Sequence, residues 1–181
     1  MKYNRDINHR HSIRLHGYDY TRAGAYFVTA CVHARECLFG QIVDGVMRLD
    51  AYGEIALEYW QAIPEHCPYV DLDAFVVMPN HIHGILMLKD TTIQSVHPPT
   101  QERFAKPVAG SLPSIVRLYK AAVTRRINSL HDAPAVPVWQ RNYYEHIIRD
   151  QTALDQIREY IATNPLRWEQ DQLHPDNPSK W

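Results

Sequence analysis

The chain has 181 residues, 45% of them hydrophobic and 22% charged, with a formal net charge of −1. That is the length of a single domain with room for a real core, and the balance of an ordinary globular protein rather than a disordered or membrane chain. No apolar run is long enough to span a bilayer, and Met1-Lys2-Tyr3-Asn4-Arg5-Asp6 lacks the apolar stretch of a secretory signal, so a cytoplasmic location is expected. Three cysteines, Cys31, Cys37 and Cys67, form no CxxC pair and are odd in number, which argues against a disulfide framework or a structural zinc site and predicts reduced, mostly buried thiols.

In chain order, residues 1–24 read as a polar arm, rich in Arg and His and nearly aperiodic, expected to order on binding. Tyr26-Phe27-Val28-Thr29-Ala30-Cys31-Val32, β-branched and aromatic, predicts a first strand, and Asp44-Gly45 predicts the turn of a hairpin around residues 42–47. The Ala, Glu and Leu content of residues 51–62 predicts a helix closed by Pro64. Two apolar strands follow, 74–78 and the run from His81 to Leu88, separated by the turn signal Pro79-Asn80. Residues 90–112 carry the Thr, Ser, Pro and Gly of a long connector or lid. Ser111 to about Leu130 is predicted helical, with Ile115, Leu118, Ala122 and Ile127 as its apolar stripe. Pro134 and Pro137 break the pattern. A last helix from about Thr152 carries Leu154, Ile157 and Ile161 and closes at Asn164-Pro165.

The near-neutral total hides an uneven distribution. Lys2, Arg5, Arg10 and Arg14 crowd the arm, and Arg103, Lys106, Arg117, Lys120, Arg125 and Arg126 crowd the later middle, whereas acids gather between Asp44 and Asp73. Separate surfaces of opposite sign would leave a basic one for phosphates, although a merely solvated face accounts equally well for the basic helix.

His81-Ile82-His83 is the most informative stretch. Two positions apart on a strand, the imidazoles project from one face of a sheet, where a packed platform can hold them ready for one metal ion; the alternative is a pair of ordinary polar residues. On the last helix Tyr160 and Asn164, four apart, share a face at the flank of the apolar stripe. An Asn164 amide oxygen beside two neutral imidazoles makes a site suited to Mg²⁺ or Mn²⁺, with positions open for a phosphate oxygen and water. The Tyr160 phenol, a turn away, is then placed to attack phosphorus; a semi-buried tyrosine with a bonded hydroxyl is the simpler alternative. Tyr143 and Tyr144 are rival nucleophiles. Trp139, Arg141, His146 and Arg149 are candidates to stack on bases or hold phosphates, with Trp139 equally able to be core.

Three blocks, His81-Ile82-His83 behind Met78-Pro79-Asn80, the run Trp139-Gln140-Arg141-Asn142-Tyr143-Tyr144-Glu145-His146-Ile147-Ile148-Arg149, and Tyr160-Ile161-Ala162-Thr163-Asn164-Pro165, closely resemble the single-tyrosine HUH transposases, and among them the REP-associated tyrosine transposases. The arm from Arg14 to Tyr20 and the run Gly24-Ala25-Tyr26-Phe27-Val28-Thr29 match as well, so the resemblance spans nearly the whole chain as one domain. It implies an α+β fold, a ferredoxin-like sandwich with an antiparallel sheet and helices packed on one face. It also implies metal-dependent cleavage and rejoining of single-stranded DNA at hairpins through a 5′-phosphotyrosine. By position, His81 and His83 match the HUH ligand pair, Tyr160 the nucleophile and Asn164 the third ligand, where related transposases often carry glutamine. Arg14, Arg117, Lys120, Arg125, Arg126, Arg141, His146 and Arg149 are then the expected DNA contacts. Monomer and homodimer are both compatible with the sequence. Two rivals are a non-catalytic domesticated DNA- or RNA-binding relative and a phosphohydrolase; the latter calls for a third histidine where Ile85 stands.

Overall fold

A computed structural model describes residue 15 and residues 17–90, 108–130 and 136–177. Arg14, most of the arm and residues 91–107 of the 90–112 connector lie outside the described residues. Strand β1 (Gly24–Cys31) leads into the hairpin β2 (Gly40–Val43) and β3 (Val46–Leu49), then α1 (Ala51–Gln61) and a short α2 (Ile63–His66). Strands β4 (Val70–Met78) and β5 (His81–Leu88), helix α3 (Leu112–Asn128), strand β6 (Tyr144–Ile148) and helix α4 (Gln151–Thr163) complete the order.

The main sheet runs β4-β5-β1-β6 and every pair in it is antiparallel. With the β2-β3 hairpin set aside, β1-α1-β4 and β5-α3-β6 are two split βαβ units, each crossing over one intervening strand, which is the ferredoxin-like arrangement. The hairpin turns where expected: Asp44 and Gly45 both take positive φ, 52° and 72°, as a two-residue turn between twisted strands requires. Pro64 does not simply end a helix. It occupies the first turn of α2, where its missing N–H costs nothing.

Helices α1 and α3 share one face of the sheet, as the sandwich predicts, joined by a hydrogen bond from Tyr119 Oη to Ala56 O (3.0 Å) and a core around Trp60, Ile82, Leu86, Ile115 and Val123. Helix α4 is added on the opposite face. Asp150 caps its start by accepting from the Ala153 N–H, and Leu154 and Ile161 pack on Ala25, Phe27, Ile85 and Ile148. Arg158 clamps it to β4 through a two-pronged pair with Asp73, at 2.9 and 2.6 Å, where the β4 register shifts. Tyr20 is 3% exposed within the aromatic cluster of Tyr18 and Tyr26, so the last residues of the arm belong to the core rather than to a segment awaiting a ligand. The three cysteines are free, as expected, but only Cys67 is buried.

Gly84 fits because nothing larger can. The Trp60 ring lies stacked on Phe75 directly beneath it, and a Cβ there would overlap Trp60 Cζ2 and come within 2.7 Å of Cη2 and 2.9 Å of Phe75 Cδ2. Gly84→Ala is expected to cost about 1–3 kcal/mol of stability, read by urea denaturation, through overpacking beneath the strand that carries both histidines.

Candidate active site

Strand alternation sends Ile82, Leu86 and Leu88 toward α1 and α3, and His81, His83 and Ile85 toward α4. The two imidazoles meet there at the mouth of the Pro79-Asn80 turn, Nε2 to Nε2 at 3.1 Å, and both are almost fully buried. Across from them Tyr160 hangs from the last turn of α4 with its hydroxyl 3.1 Å from His83 Nε2, its ring edge-on to Phe27 and 36% of its surface still open to solvent. Phe27 in turn stacks on the His83 ring.

Hydrogen bonds orient the imidazoles. Asn80 Nδ2 donates to Leu173 O (2.8 Å) and Arg35 O (3.2 Å), which leaves its Oδ1 to face His81 Nδ1 at 2.8 Å. A carbonyl oxygen can only accept, so His81 carries its proton on Nδ1 and turns the Nε2 lone pair into the site. Thr29 Oγ1 stands 2.7 Å from His83 Nδ1, on the neighbouring strand where Thr29 and His83 pair, and can accept the corresponding proton. Burial holds both rings neutral: His83 is pushed down to about 3, and His81 well below the usual imidazole range by desolvation and by its neighbour. Two lone pairs aimed at one point, each backed by an oxygen on the far nitrogen, is the second-shell pattern of a metal site.

Because the unfolded chain binds protons at these histidines near pH 6.5 and the folded chain refuses them, acid favours unfolding. In EDTA, stability is expected to fall by about 1.4 kcal/mol per pH unit for each of the two below roughly pH 6.5, and to show no such dependence above pH 7.5. Denaturation midpoints from pH 5 to 8 check this, and His81→Gln/His83→Gln should flatten the slope.

Past α4 the chain turns back in a 3₁₀ segment, Pro165–Gln170, and crosses the mouth of the site. Trp168 lies against the His81 and His174 rings, and Asp171, buried, joins the histidines: one atom from each of His81, His83 and Asp171 lies within 4.8 Å of the others. Asn164 is the C-cap of α4; its Nδ2 donates to Asp171 Oδ2 (3.3 Å), while its Oδ1 is buried without a hydrogen-bond partner. Burial first, then the Asp171 carboxylate, pushes the Tyr160 hydroxyl up to about 12, with the Asn164 amide pulling the other way. The phenol is therefore protonated at neutral pH.

His81, His83, Tyr160 and Asn164 thus converge, all from one chain, and Asp171 is added to them. Nothing in its spacing marks Asp171, because the reversal after Pro165 is what brings it back. The other predicted contacts divide. Tyr143 packs against the core around α1 and α3, and Tyr144 meets Phe27 on the site face. Trp139 is core, tilted against Phe39 and Tyr119. Lys120 is not a free cation: its ammonium donates to the carbonyls of Gln140, Arg141 and Asn142, and burial lowers it to about 8. It ties down the segment entering β6. Arg117, Arg125 and Arg126 are exposed on α3, with the sheet between them and the imidazoles. Arg141, His146 and Arg149 are exposed along β6 and its approaches, and His146, paired with Phe27, shares the site face.

Comparison with known proteins bears on this constellation. No family model matches the chain. It is 45% identical over 182 residues to an uncharacterised protein of Haemophilus influenzae, covering 97% of this chain and 98% of that one. A second protein of that organism, described as a REP-associated tyrosine transposase, is 25% identical over 149 residues, 82% of this chain and 74% of its own length. Over most of its length the chain is thus similar to a REP-associated tyrosine transposase. A solved REP-associated tyrosine transposase bound to a REP hairpin superposes with a TM-score of 0.55 over 85% of this chain and 73% of that one; at 21% identity the likeness speaks for the shared α+β fold. Among the described residues of this transposase relative, no helix is long and apolar enough to cross a membrane.

Proposed function

We propose that this transposase-like chain cleaves and rejoins single-stranded DNA beside hairpins, with Tyr160 as nucleophile and His81, His83 and an oxygen of Asp171 or Asn164 holding Mg²⁺ or Mn²⁺. The observation that carries the reading is the Tyr160 hydroxyl 3.1 Å from an imidazole of a buried, neutral histidine pair whose lone pairs converge. The orphaned Asn164 Oδ1 and the Asp171 carboxylate beside that pair supply the oxygen donors a hard cation prefers. Bound there, the cation would polarise the scissile phosphate and offset its developing charge.

The protein's own part is positional. Helix α4, capped by Asp150 and clamped by Arg158, holds the Tyr160 oxygen at the histidine face, while Phe27 fixes the ring plane. In the transesterification the Tyr160 oxygen bonds to phosphorus, the bond from phosphorus to the 3′-oxygen breaks, and the phenolic proton ends on that 3′-hydroxyl. A 5′-phosphotyrosine stores the bond until another 3′-hydroxyl attacks it. Arg141, His146 and Arg149, exposed along β6 and its approaches with His146 on the face of the imidazoles, are the residues we assign to the strand; the α3 arginines, beyond the sheet, can reach only a duplex arm that wraps the domain.

Incubation with hairpin oligonucleotides carrying single-stranded flanks and Mn²⁺, followed by a denaturing gel, tests the reading. The expected product is a protein-linked fragment together with a free 3′-hydroxyl fragment. A panel that binds yet yields no adduct would leave a non-catalytic DNA-binding relative, and turnover of free mononucleotides without adduct would point to a phosphohydrolase.

A further inference from the structure

One atom of the site is claimed twice. The Tyr160 hydroxyl stands 3.1 Å from His83 Nε2, and His81 Nε2, whose lone pair points to the same place, stands 3.1 Å from it as well. With the His83 proton on Nδ1, facing Thr29 Oγ1 at 2.7 Å, Nε2 is left with a single lone pair in the ring plane, and the phenol is the neighbour with a proton to give it. The Asn164 amide meets the phenol oxygen as a donor, so the phenolic proton still goes to His83. A cation held by His81, His83 and Asp171 needs that same lone pair. An imidazole nitrogen has only one, so an accepted proton and a coordinated cation exclude each other there.

We propose that the Tyr160 hydroxyl and the divalent cation compete for His83 Nε2, so that metal binding is what frees the phenol from the histidine; the inference rests on the metal-ligand and nucleophile assignments above. The phenol has somewhere to go. Its ring meets Phe27 only edge-on and 36% of its surface is open to solvent, so the hydroxyl can turn outward while Leu154 and Ile161 keep α4 on the sheet. The solvent side is also the side from which a DNA phosphate must approach. With the phenol on His83, the ligand set lacks one nitrogen and the nucleophile is engaged, which couples the two halves of the chemistry before any strand arrives. Such coupling is reciprocal. Whatever keeps the phenol off His83 tightens the hold on the cation, esterification of Tyr160 to a 5′-phosphate included, so the site grips its cation most firmly while the strand is covalently attached.

Isothermal titration of Mn²⁺ into the full chain at pH 7.5, without DNA, tests this against Tyr160→Phe. A neutral hydrogen bond that must be given up on binding weakens affinity about two- to tenfold, so the variant is expected to bind Mn²⁺ that much more tightly than the unaltered chain. Tyr144→Phe, on the same face but bonded to neither histidine, should bind as the unaltered chain does. Melting temperatures give a second reading: Tyr160→Phe should melt slightly below the unaltered chain in EDTA, and the gap should close or reverse at saturating Mn²⁺. Equal affinities overturn the proposal. Weaker binding by Tyr160→Phe also overturns it, by making the phenol oxygen a ligand rather than a competitor. The two readings fail separately. Tighter Mn²⁺ binding by a Tyr160→Phe chain that still forms the DNA adduct would keep the competition and take the nucleophile's role from Tyr160, whereas a lost adduct with unchanged Mn²⁺ affinity would do the reverse. No Mn²⁺ binding by either chain would overturn the competition together with the metal assignment.

Discussion

Tyr160→Phe is expected to abolish the protein-linked DNA fragment, lowering its rate of formation by about 10³-fold or more, while the protein still folds and still binds hairpin DNA. The substitution removes one oxygen. The edge-on contact with Phe27 and the packing of α4 through Leu154 and Ile161 remain, and the lost hydrogen bond to His83 Nε2 costs about 1 kcal/mol of stability at most. A thermal melt close to that of the unaltered chain, together with unchanged hairpin affinity, would make the lost adduct a chemical effect rather than a structural one. Tyr144→Phe is the control. Tyr144 lies on the same face, two strands from the histidines and 6.3 Å from Phe27 between ring centroids, and its replacement should leave adduct formation within a few-fold of normal. An adduct that persists in Tyr160→Phe and disappears in Tyr144→Phe would transfer the nucleophile's role. The raised pKa of the phenol adds a kinetic signature. With the hydroxyl pushed up to about 12, the rate of adduct formation should still be rising with pH between 7 and 9, because the reactive phenolate remains scarce throughout that window.

The histidine strand and the last helix were legible because each has a strong local pattern. Alternation places His81 and His83 together whatever the tertiary fold, and helical spacing does the same for Tyr160 and Asn164. What a local pattern lacks is layer. The expected stripe of α3 holds at Ile115 and Ile127, but Leu118 is exposed and the buried face runs through Val116, Tyr119 and Val123 instead; nothing in residues 111–130 tells which face of the sheet the helix will cover, and the structure puts it opposite the imidazoles. Lys120 reads as one more basic residue, and only the tertiary fold shows its ammonium satisfied by three carbonyls. Strand β6 escaped for a related reason. It is an edge strand that leaves Tyr144 and His146 exposed and buries Glu145, so its alternation runs against the usual apolar-inside signal. Asp171 depends on the 3₁₀ reversal after Pro165, a turn whose direction residue spacing does not encode.

The second large effect concerns the metal ligands, and its argument turns on which oxygen completes the histidine pair. His81→Ala and His83→Ala each remove one of two imidazole nitrogens that burial has already deprotonated, and each is expected to abolish measurable Mn²⁺ binding and metal-dependent adduct formation. Asn80→Ala tests the support behind them. Without the Asn80 oxygen, His81 is free to move its proton to Nε2, and Mn²⁺ affinity should fall 10- to 100-fold although no ligand has been touched. For the third donor, Asp171→Asn and Asn164→Ala separate the candidates. Asp171 already commits one oxygen to the Leu173 N–H and the other to the Asn164 amide, so it can ligate only by giving up a hydrogen bond, but it alone brings a negative charge to two neutral rings. Asn164 Oδ1 is uncommitted and buried, yet it is neutral. Charge dominates for a hard divalent cation, so Asp171→Asn is expected to weaken Mn²⁺ by more than tenfold and Asn164→Ala by less, as measured by isothermal titration at pH 7.5. The opposite ranking would assign the third position to the Asn164 amide and leave Asp171 to orient it.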